Sequence, residues 1–325
     1  MTAQGAVMPQ ITTHLIADEI SIKKRVEELK NRSDDIKSRI AHILKHLWNP
    51  ERTVITVPGS VDLTLLRQNF PHFSEVIDFY ENSIITLDRL GLPFEVPPVL
   101  LLGDPGLGKT YFTSEFAKCI NIPFYEISLA TTSSTFGLSG GNLQWSEGST
   151  GFIANTLANS EAANPIILID EIDKAPLDAR YNPMNVFYSL LEAHSAKRFK
   201  DEALEIEIDA SKIIWIATGN YANQIPAPIQ SRMRIFEITQ PSPDCMPTVI
   251  TNIYRHVVKH KAYGKLLDES LNDSVIDHLT KLSPRTVKLA IEEAAFKAIC
   301  NHRDSIIIKD LPKLGKEIYR VGFIK

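Results

Sequence analysis

Hydrophobic positions along the middle of the chain form short apolar runs separated by segments with helical spacing. The five runs with strand character are residues 99–102, 124–129, 166–169, 213–217 and 235–238. Strands that alternate with helices are typical of a parallel sheet covered by helices on both faces. After Pro241 the apolar positions recur only at helical intervals. The pattern predicts an α/β domain with a five-stranded parallel sheet in three αβα layers, followed by a small α-helical domain.

The N-terminal segment has apolar positions at alternating steps of four and three, which is a heptad pattern. Its members are Ile22, Val26, Leu29, Ile36, Ile40, Ile43 and Leu47, with Ser33 in the same register. Asn49-Pro50 ends the predicted helix. The pattern covers only about three and a half heptads, so it is compatible with self-association, with partner binding or with packing on the chain's own core.

Composition and charge restrict the class of protein. Of the 325 residues, 44% are hydrophobic and 23% are charged, as in ordinary globular proteins. The net charge of −4 gives no overall nucleic-acid signature, although residues 23–52 hold nine Lys or Arg against five Asp or Glu. No leader-like N-terminus and no apolar run of about 20 residues occurs. We therefore expect a soluble, cytoplasmic protein.

Cysteine and histidine spacing gives no metal or disulfide pattern. Cys119, Cys245 and Cys300 are far apart and form no CxxC pair, which favours buried thiols in a reducing compartment. His256 and His260 lie four residues apart on a predicted helix but lack a third ligand. We expect them to be ordinary helix residues.

A complete phosphate-binding loop follows the first of the five runs. It consists of Gly103, Asp104, Pro105, Gly106, Leu107, Gly108, Lys109 and Thr110. Glycines allow backbone N–H groups to surround phosphates, the lysine reaches the β and γ oxygens, and the threonine hydroxyl is a ligand for Mg²⁺. A helix beginning near Lys109 would add the positive end of its dipole. These residues predict a site for ATP and Mg²⁺.

Further polar residues follow the later strands. Asp170 and Glu171 come directly after the run 166–169 and suit Mg²⁺ coordination and activation of the attacking water, respectively. Asn220 follows the next run and offers an amide near the γ-phosphate. Arg232 and Arg285 offer guanidinium groups for phosphoryl charge. The acidic pair favours hydrolysis over binding alone.

In this order the motifs resemble those of the AAA+ ATPases, and the phrases 168–174 and 225–233 resemble the ATPase module of Lon-type proteins. The similarity covers about residues 70–310. It implies that Asn220 is sensor 1, that Arg232 is a finger reaching a neighbouring subunit and that Arg285 is sensor 2 on the lid. Arg234 and Arg180 are rivals of Arg232 for the finger.

The resemblance also implies a hexameric ring and a substrate-contacting loop. Trp145, in the glycine-flanked segment 140–151, matches the position of the pore-loop aromatic, where an exposed ring would grip an extended polypeptide. Residues 197–201 are a weaker candidate for a second pore loop. The predicted division is 1–69 for an N-terminal helical or coiled-coil segment and connector, 70–241 for the nucleotide-binding domain and 242–325 for the helical lid.

The sequence also departs from Lon. It stops at Lys325, about 40 residues after Arg285, which we expect to leave no room for a peptidase domain. The expected function is that of an ATP-hydrolysing, ring-forming, protease-less motor that remodels or threads a protein. One alternative is a DNA-associated ATPase that uses Lys23, Lys24 and Arg25 for phosphate contacts. Another is an ATP-gated scaffold that recruits a separate effector, for example in a defence system.

Overall fold

The computed structural model describes residues 12–132, 134–145, 148–176 and 182–312. The strands are β1 (Thr12–Leu15), β2 (Glu51–Val54), β3 (Val99–Leu102), β4 (Phe124–Ser128), β5 (Ile166–Asp170), β6 (Phe199–Lys200), β7 (Glu207–Ile208), β8 (Ile214–Gly219) and β9 (Arg234–Glu237). The α-helices are α1 (Glu19–Leu29), α2 (Asp34–Leu47), α3 (Thr64–Asn69), α4 (Ser74–Leu90), α5 (Lys109–Cys119), α6 (Phe136–Ser139), α7 (Phe152–Asn159), α8 (Met184–Leu190), α9 (Ala193–Ala196), α10 (Ala227–Gln230), α11 (Met246–His260), α12 (Asp273–Leu279) and α13 (Pro284–Cys300).

Five of these strands form the predicted parallel sheet, in the order β4-β5-β8-β3-β9. All four residues of β3 and all six of β8 are buried. Near-continuous apolar sequence suits such central strands because both of their faces are covered. The prediction of an α/β sheet is confirmed, and the parallel arrangement places the carboxyl ends of the strands at one edge.

The N-terminal heptad pattern belongs to two helices that pack on the chain's own core. α1 ends at Leu29, and Ser33 caps the start of α2 by accepting the N–H of Ile36. The apolar residues of both helices join the main core, with Ile40 and Leu47 fully buried. A single continuous helix is therefore wrong for this segment, and most of its apolar seam packs on the chain's own core, which was one of the three alternatives.

Contacts divide the described chain into two compact units. The first comprises residues 12–63, 75–103 and 109–237, and the second comprises 64–74, 104–108 and 238–312. The second unit has its own apolar core, in which α11 and α13 supply Tyr254, Val287 and Ile291. It contains every described residue of the predicted helical domain 242–325.

The predicted second pore loop, residues 197–201, lies at a short hairpin formed by β6 and β7. Phe199 and Asp201 are buried, while Lys197 and Lys200 are exposed. The Asp201 carboxylate accepts N–H groups from Gly151, Ala203 and Leu204 at 2.8–3.0 Å. Burial nevertheless raises the pKa of Asp201 to about 6. Asp201 thus ties the hairpin to the end of the segment 140–151.

Other expectations can be compared with the described residues. No helix among them is long and apolar enough to span a bilayer. The three cysteines form no disulfide, but Cys300 is exposed and the other two are half-buried, so the expectation of buried thiols is wrong for Cys300. His256 and His260 have rings 4.4 Å apart, and the described residues contain no cluster of three metal-ligating side chains.

Candidate nucleotide site

The loop between β3 and α5 has the backbone geometry of an anion cradle. Gly106 and Gly108 both have φ of 87°, a region that side chains rarely adopt. Within the part of the chain that the structure describes, the N–H groups of Gly106, Leu107 and Gly108 donate to no acceptor. Three N–H groups without an acceptor among the described residues, in glycine-rich backbone, are suited to donate to the oxygens of a phosphate.

Lys109 begins α5, and its side chain is directed toward the carboxyl ends of the central strands. Its Nζ donates to the Gly103 carbonyl at 2.6 Å and to Asn220 Oδ1 at 3.0 Å, and the residue is buried. Asn220 directly follows β8, the neighbour of β3 in the sheet. The structure therefore brings together two predicted site residues that are 111 positions apart.

Asp170, at the end of β5, lies at the centre of a cluster of hydroxyl groups. Thr110 Oγ1 donates to Asp170 Oδ1 at 2.9 Å, and Thr218 Oγ1 donates to the same oxygen at 2.5 Å. Thr218 also accepts the backbone N–H of Glu171 at 3.1 Å. Glu171 has left-handed backbone, with φ 53° and ψ 48°. The sequence reasoning missed Thr218, although its place at the end of a buried strand beside Asn220 is a usable signal.

The donor set at Asp170 fits a hard divalent cation. Thr110 and Asp170 offer hydroxyl and carboxylate oxygens, the ligand type that Mg²⁺ prefers when it also binds phosphate. Burial raises the pKa of a second carboxylate, that of Glu126 on β4, and the negative charge of Asp170 raises it further. A cation at Asp170 would relieve this repulsion.

Two residues of the second unit contact its part of the phosphate-binding loop. A Cβ atom added to Gly106 would lie 2.6 Å from the Arg285 Cβ, so Arg285 lies directly against the loop. His72 Nε2 lies 3.0 Å from the Leu107 carbonyl oxygen. Burial lowers the pKa of His72, and because a neutral ring can donate through Nε2, the tautomer protonated there fits the contact. His72 was not predicted from the sequence.

The predicted finger, Arg232, has partners within its own chain. Its Nη2 lies 2.6 Å from Glu192 Oε1, and its Nη1 donates to the Pro228 carbonyl. The rival Arg234 lies over the rings of Phe79 and Phe236. Its guanidinium carbon is 4.6 Å from the centroid of the Phe79 ring and 5.2 Å from that of Phe236. The other rival, Arg180, lies outside the described residues. Both described arginines are therefore engaged, Arg232 by a partly exposed ion pair.

Trp145 is 52% exposed, as expected for an aromatic that contacts a substrate. Its ring packs edge-on against Phe136, with centroids 5.0 Å apart. Arg39, on α2, donates to the carbonyl oxygens of Trp145 at 2.8 Å and Gly148 at 3.1 Å. Ser146 and Glu147, which belong to the same predicted loop, lie outside the described residues.

Comparison with known proteins agrees with this geometry. Residues 99–240 match the sequence model of the family described as "ATPase family associated with various cellular activities (AAA)". The chain is 27% identical over 305 residues to a Lon protease of Mycoplasma mobile, covering 90% of this chain and 35% of that protein. It is 30% identical over 282 residues to a Lon protease of Clostridioides difficile, covering 84% of this chain and 35% of that protein.

The chain carries a Lon-like AAA+ ATPase module. It spans about a third of the length of these two curated Lon relatives. Among solved structures it resembles the RuvB Holliday junction branch migration motor of Thermotoga maritima, with a TM-score of 0.50 and 16% identity over 73% of this chain and 66% of that one. At this identity the likeness shows the AAA+ fold alone.

Proposed function

We propose that this Lon-like module hydrolyses ATP. The observation that carries the proposal is the set of hydrogen bonds that joins Thr110 and Thr218 to Asp170 and holds the backbone of Glu171 on Thr218. These contacts join the Asp170 carboxylate to the first turn of α5 and hold the backbone of Glu171 on Thr218. The Asp170 carboxylate accepts two hydroxyl groups, whereas Glu171 follows it in left-handed backbone.

Each polar residue takes a separate part in this proposal. The N–H groups of residues 106–108 and Lys109 bind phosphate oxygens, and Thr110 and Asp170 hold the cation. Mg²⁺ supplies charge neutralisation at the phosphates when it is bound. Glu171 accepts a proton from the attacking water as general base. Asn220 orients that water, and Arg285 stabilises phosphoryl charge.

We further propose that the active form of this protein is a ring of six copies in the cytoplasm. Arg232 then acts on the nucleotide of the neighbouring copy and must first leave Glu192, to which it is 2.6 Å away in the single chain. That pair is partly exposed, with 27% and 47% of the two side chains accessible. Ion pairs of this kind cost about 1 kcal/mol or less to separate, so the arginine is available for exchange between partners.

The proposed substrate is a protein, which the motor remodels or threads. Support comes from the exposed ring of Trp145. The DNA-associated alternative has less support, because one of the three cations assigned to it, Arg25, is buried. Arg25 bonds the Ala203 carbonyl and pairs with Glu205. A scaffold with a separate effector remains compatible with the same site.

Two variants test the assignment of hydrolysis. Glu171→Gln should retain ATP binding while turnover falls by about 10² or more, the contribution of a general base. Lys109→Ala should lose ATP binding itself. Binding is measured with a fluorescent ATP analogue and turnover by phosphate release, with the exposed Glu161→Gln as control. Turnover at the parental rate in Glu171→Gln would show that the base has been assigned wrongly.

A further inference from the structure

The two N-terminal helices leave an open apolar groove on the surface of the first unit. The groove, with a volume of about 570 Å³, is lined by Val26, Leu29, Lys30, Lys37, Ala41, Leu44, Lys45 and Trp48. Leu29 and Leu44 are 5% and 7% exposed and belong to the core, so the floor is fixed. We call this surface the α1–α2 groove.

Trp48 distinguishes the groove from an ordinary helical surface. It directly follows α2, and 56% of its surface is exposed. An exposed indole beside a preformed apolar floor is typical of interface residues that contribute most of the binding free energy. The apolar stems of the lining lysines extend the same surface, since lysine keeps only its ammonium group in water.

The charges of the α1–α2 groove all have one sign. Its three charged lining residues are Lys30, Lys37 and Lys45, and no carboxylate contributes to the lining. Lys30 and Lys37 pair with Glu27 at 2.5 Å and Asp34 at 3.2 Å, and both pairs are exposed at the surface. Exposed pairs of this kind are weak and exchange readily. The groove therefore favours a ligand that carries negative charges beside an apolar stripe.

We propose that the α1–α2 groove binds an amphipathic helix of another protein, with apolar residues at i, i+3 or i+4, and i+7 and acidic residues beside this apolar stripe. A third helix placed along two packed helices buries its apolar stripe on their shared groove. Its carboxylates then meet the lysines. This is a partner-binding surface separate from the nucleotide residues, so it can be tested whether or not ATP is hydrolysed.

Two stretches of the sequence outside the described residues lack the charge that the α1–α2 groove requires. Residues 1–11 contain no Asp or Glu, and residues 313–325 contain four Lys or Arg against Glu317 alone. Repulsion by Lys30, Lys37 and Lys45 would oppose docking of residues 313–325. Neither stretch therefore supplies the complementary charge.

The test uses a phage-displayed library of 16-residue peptides, panned against the whole chain. We expect the enriched peptides to be acidic and to carry apolar residues at helical spacing. A synthetic copy of the best peptide, labelled with fluorescein, should bind with an affinity that Trp48→Ala and Lys45→Glu each reduce by at least about tenfold. Fluorescence polarisation measures the affinity.

Matched controls separate the groove from general effects. Lys24→Glu changes an exposed lysine on α1 outside the groove, and Leu90→Ala removes an exposed apolar side chain at the end of α4. Both should leave the affinity unchanged within about twofold. Enrichment of neutral or basic peptides, or no enrichment, would overturn the proposal. So would binding insensitive to Trp48→Ala, or a change in the chain's self-association on Trp48→Ala without peptide binding, which would identify a second copy as the occupant.

Discussion

Thr218 connects the Asp170 carboxylate to the backbone of Glu171 through one hydroxyl group. It donates to Asp170 at 2.5 Å and accepts the Glu171 N–H at 3.1 Å. A buried hydroxyl that both donates and accepts a hydrogen bond fixes the positions of its two partners, here the Asp170 side chain and the Glu171 backbone. At the scale of single residues, the site therefore depends on a threonine that has no direct role in the chemistry.

We expect Thr218→Val to lower both stability and turnover. The variant keeps the volume of the side chain but leaves the Glu171 N–H without its acceptor, at a cost of about 1–3 kcal/mol in the free energy of unfolding. Displacement of Glu171 should reduce ATP turnover more than ATP binding. Urea denaturation and phosphate release measure the two effects.

The control for Thr218→Val is Thr113→Val. Thr113 is also fully buried, and its hydroxyl donates only to the Lys109 carbonyl within α5. The Thr113→Val variant should lose stability, but its ratio of ATP turnover to ATP binding should change less than that of Thr218→Val. If both variants lost turnover in proportion to stability alone, Thr218 would have no positioning role.

At the scale of elements, α1 and α2 are part of the ATPase core and not an independent coiled coil. Leu47 is fully buried in the same apolar cluster as residues of β5 and β8. Arg52, on β2, is also buried, and its guanidinium donates to the carbonyl oxygens of Leu157 and Ala158 near the end of α7. The segment is thus bonded and packed to the fold.

Leu47→Ala should therefore destabilise the whole first unit. Removal of a fully buried leucine side chain costs about 2–5 kcal/mol. Ile20→Ala, at a position on α1 that is 75% exposed, should change the free energy of unfolding by less than about 0.5 kcal/mol. Urea denaturation followed by far-UV circular dichroism distinguishes the two. A cost for Leu47→Ala as small as that for Ile20→Ala would contradict the assignment of these helices to the core.

The elements also show which features are visible in the sequence. The five core strands could be predicted from their short apolar runs, and the observed bounds agree within two residues. The runs are buried on both faces in β3, β5 and β8 but not in the edge strands β4 and β9. The break between α1 and α2 was missed because two helices with buried faces can keep the same four-three spacing. Ser33 followed by Asp34 is a helix-start signal that would have located it.

The site shows a similar limit. The proximity of Lys109 to Asn220 and of Thr110 to Asp170 could be predicted from their order along the chain, since parallel strands place their carboxyl ends at one edge of the sheet. Thr218 and the Arg232–Glu192 ion pair were not found. Their contacts depend on side-chain directions that spacing alone does not encode.

At the scale of the whole molecule, the proposed activity requires two copies of the chain. In this proposal one copy provides Lys109, Asp170 and Glu171, and its neighbour provides Arg232. In such a head-to-tail assembly each interface uses two different surfaces of the same protein. Two variants that are each defective on a different one of these surfaces can then complement each other. Where they meet through their two intact surfaces, the interface between them is complete.

Mixing two inactive variants tests this central claim most directly. Glu171→Gln and Arg232→Ala should each turn over little ATP alone, and an equimolar mixture should recover up to about a quarter of the parental rate, the fraction of intact interfaces in randomly mixed rings. Phosphate release, measured after the variants have been allowed to exchange subunits, gives the result. Full turnover by Arg232→Ala alone, or a mixture no more active than the average of its components, would contradict an active site shared between copies.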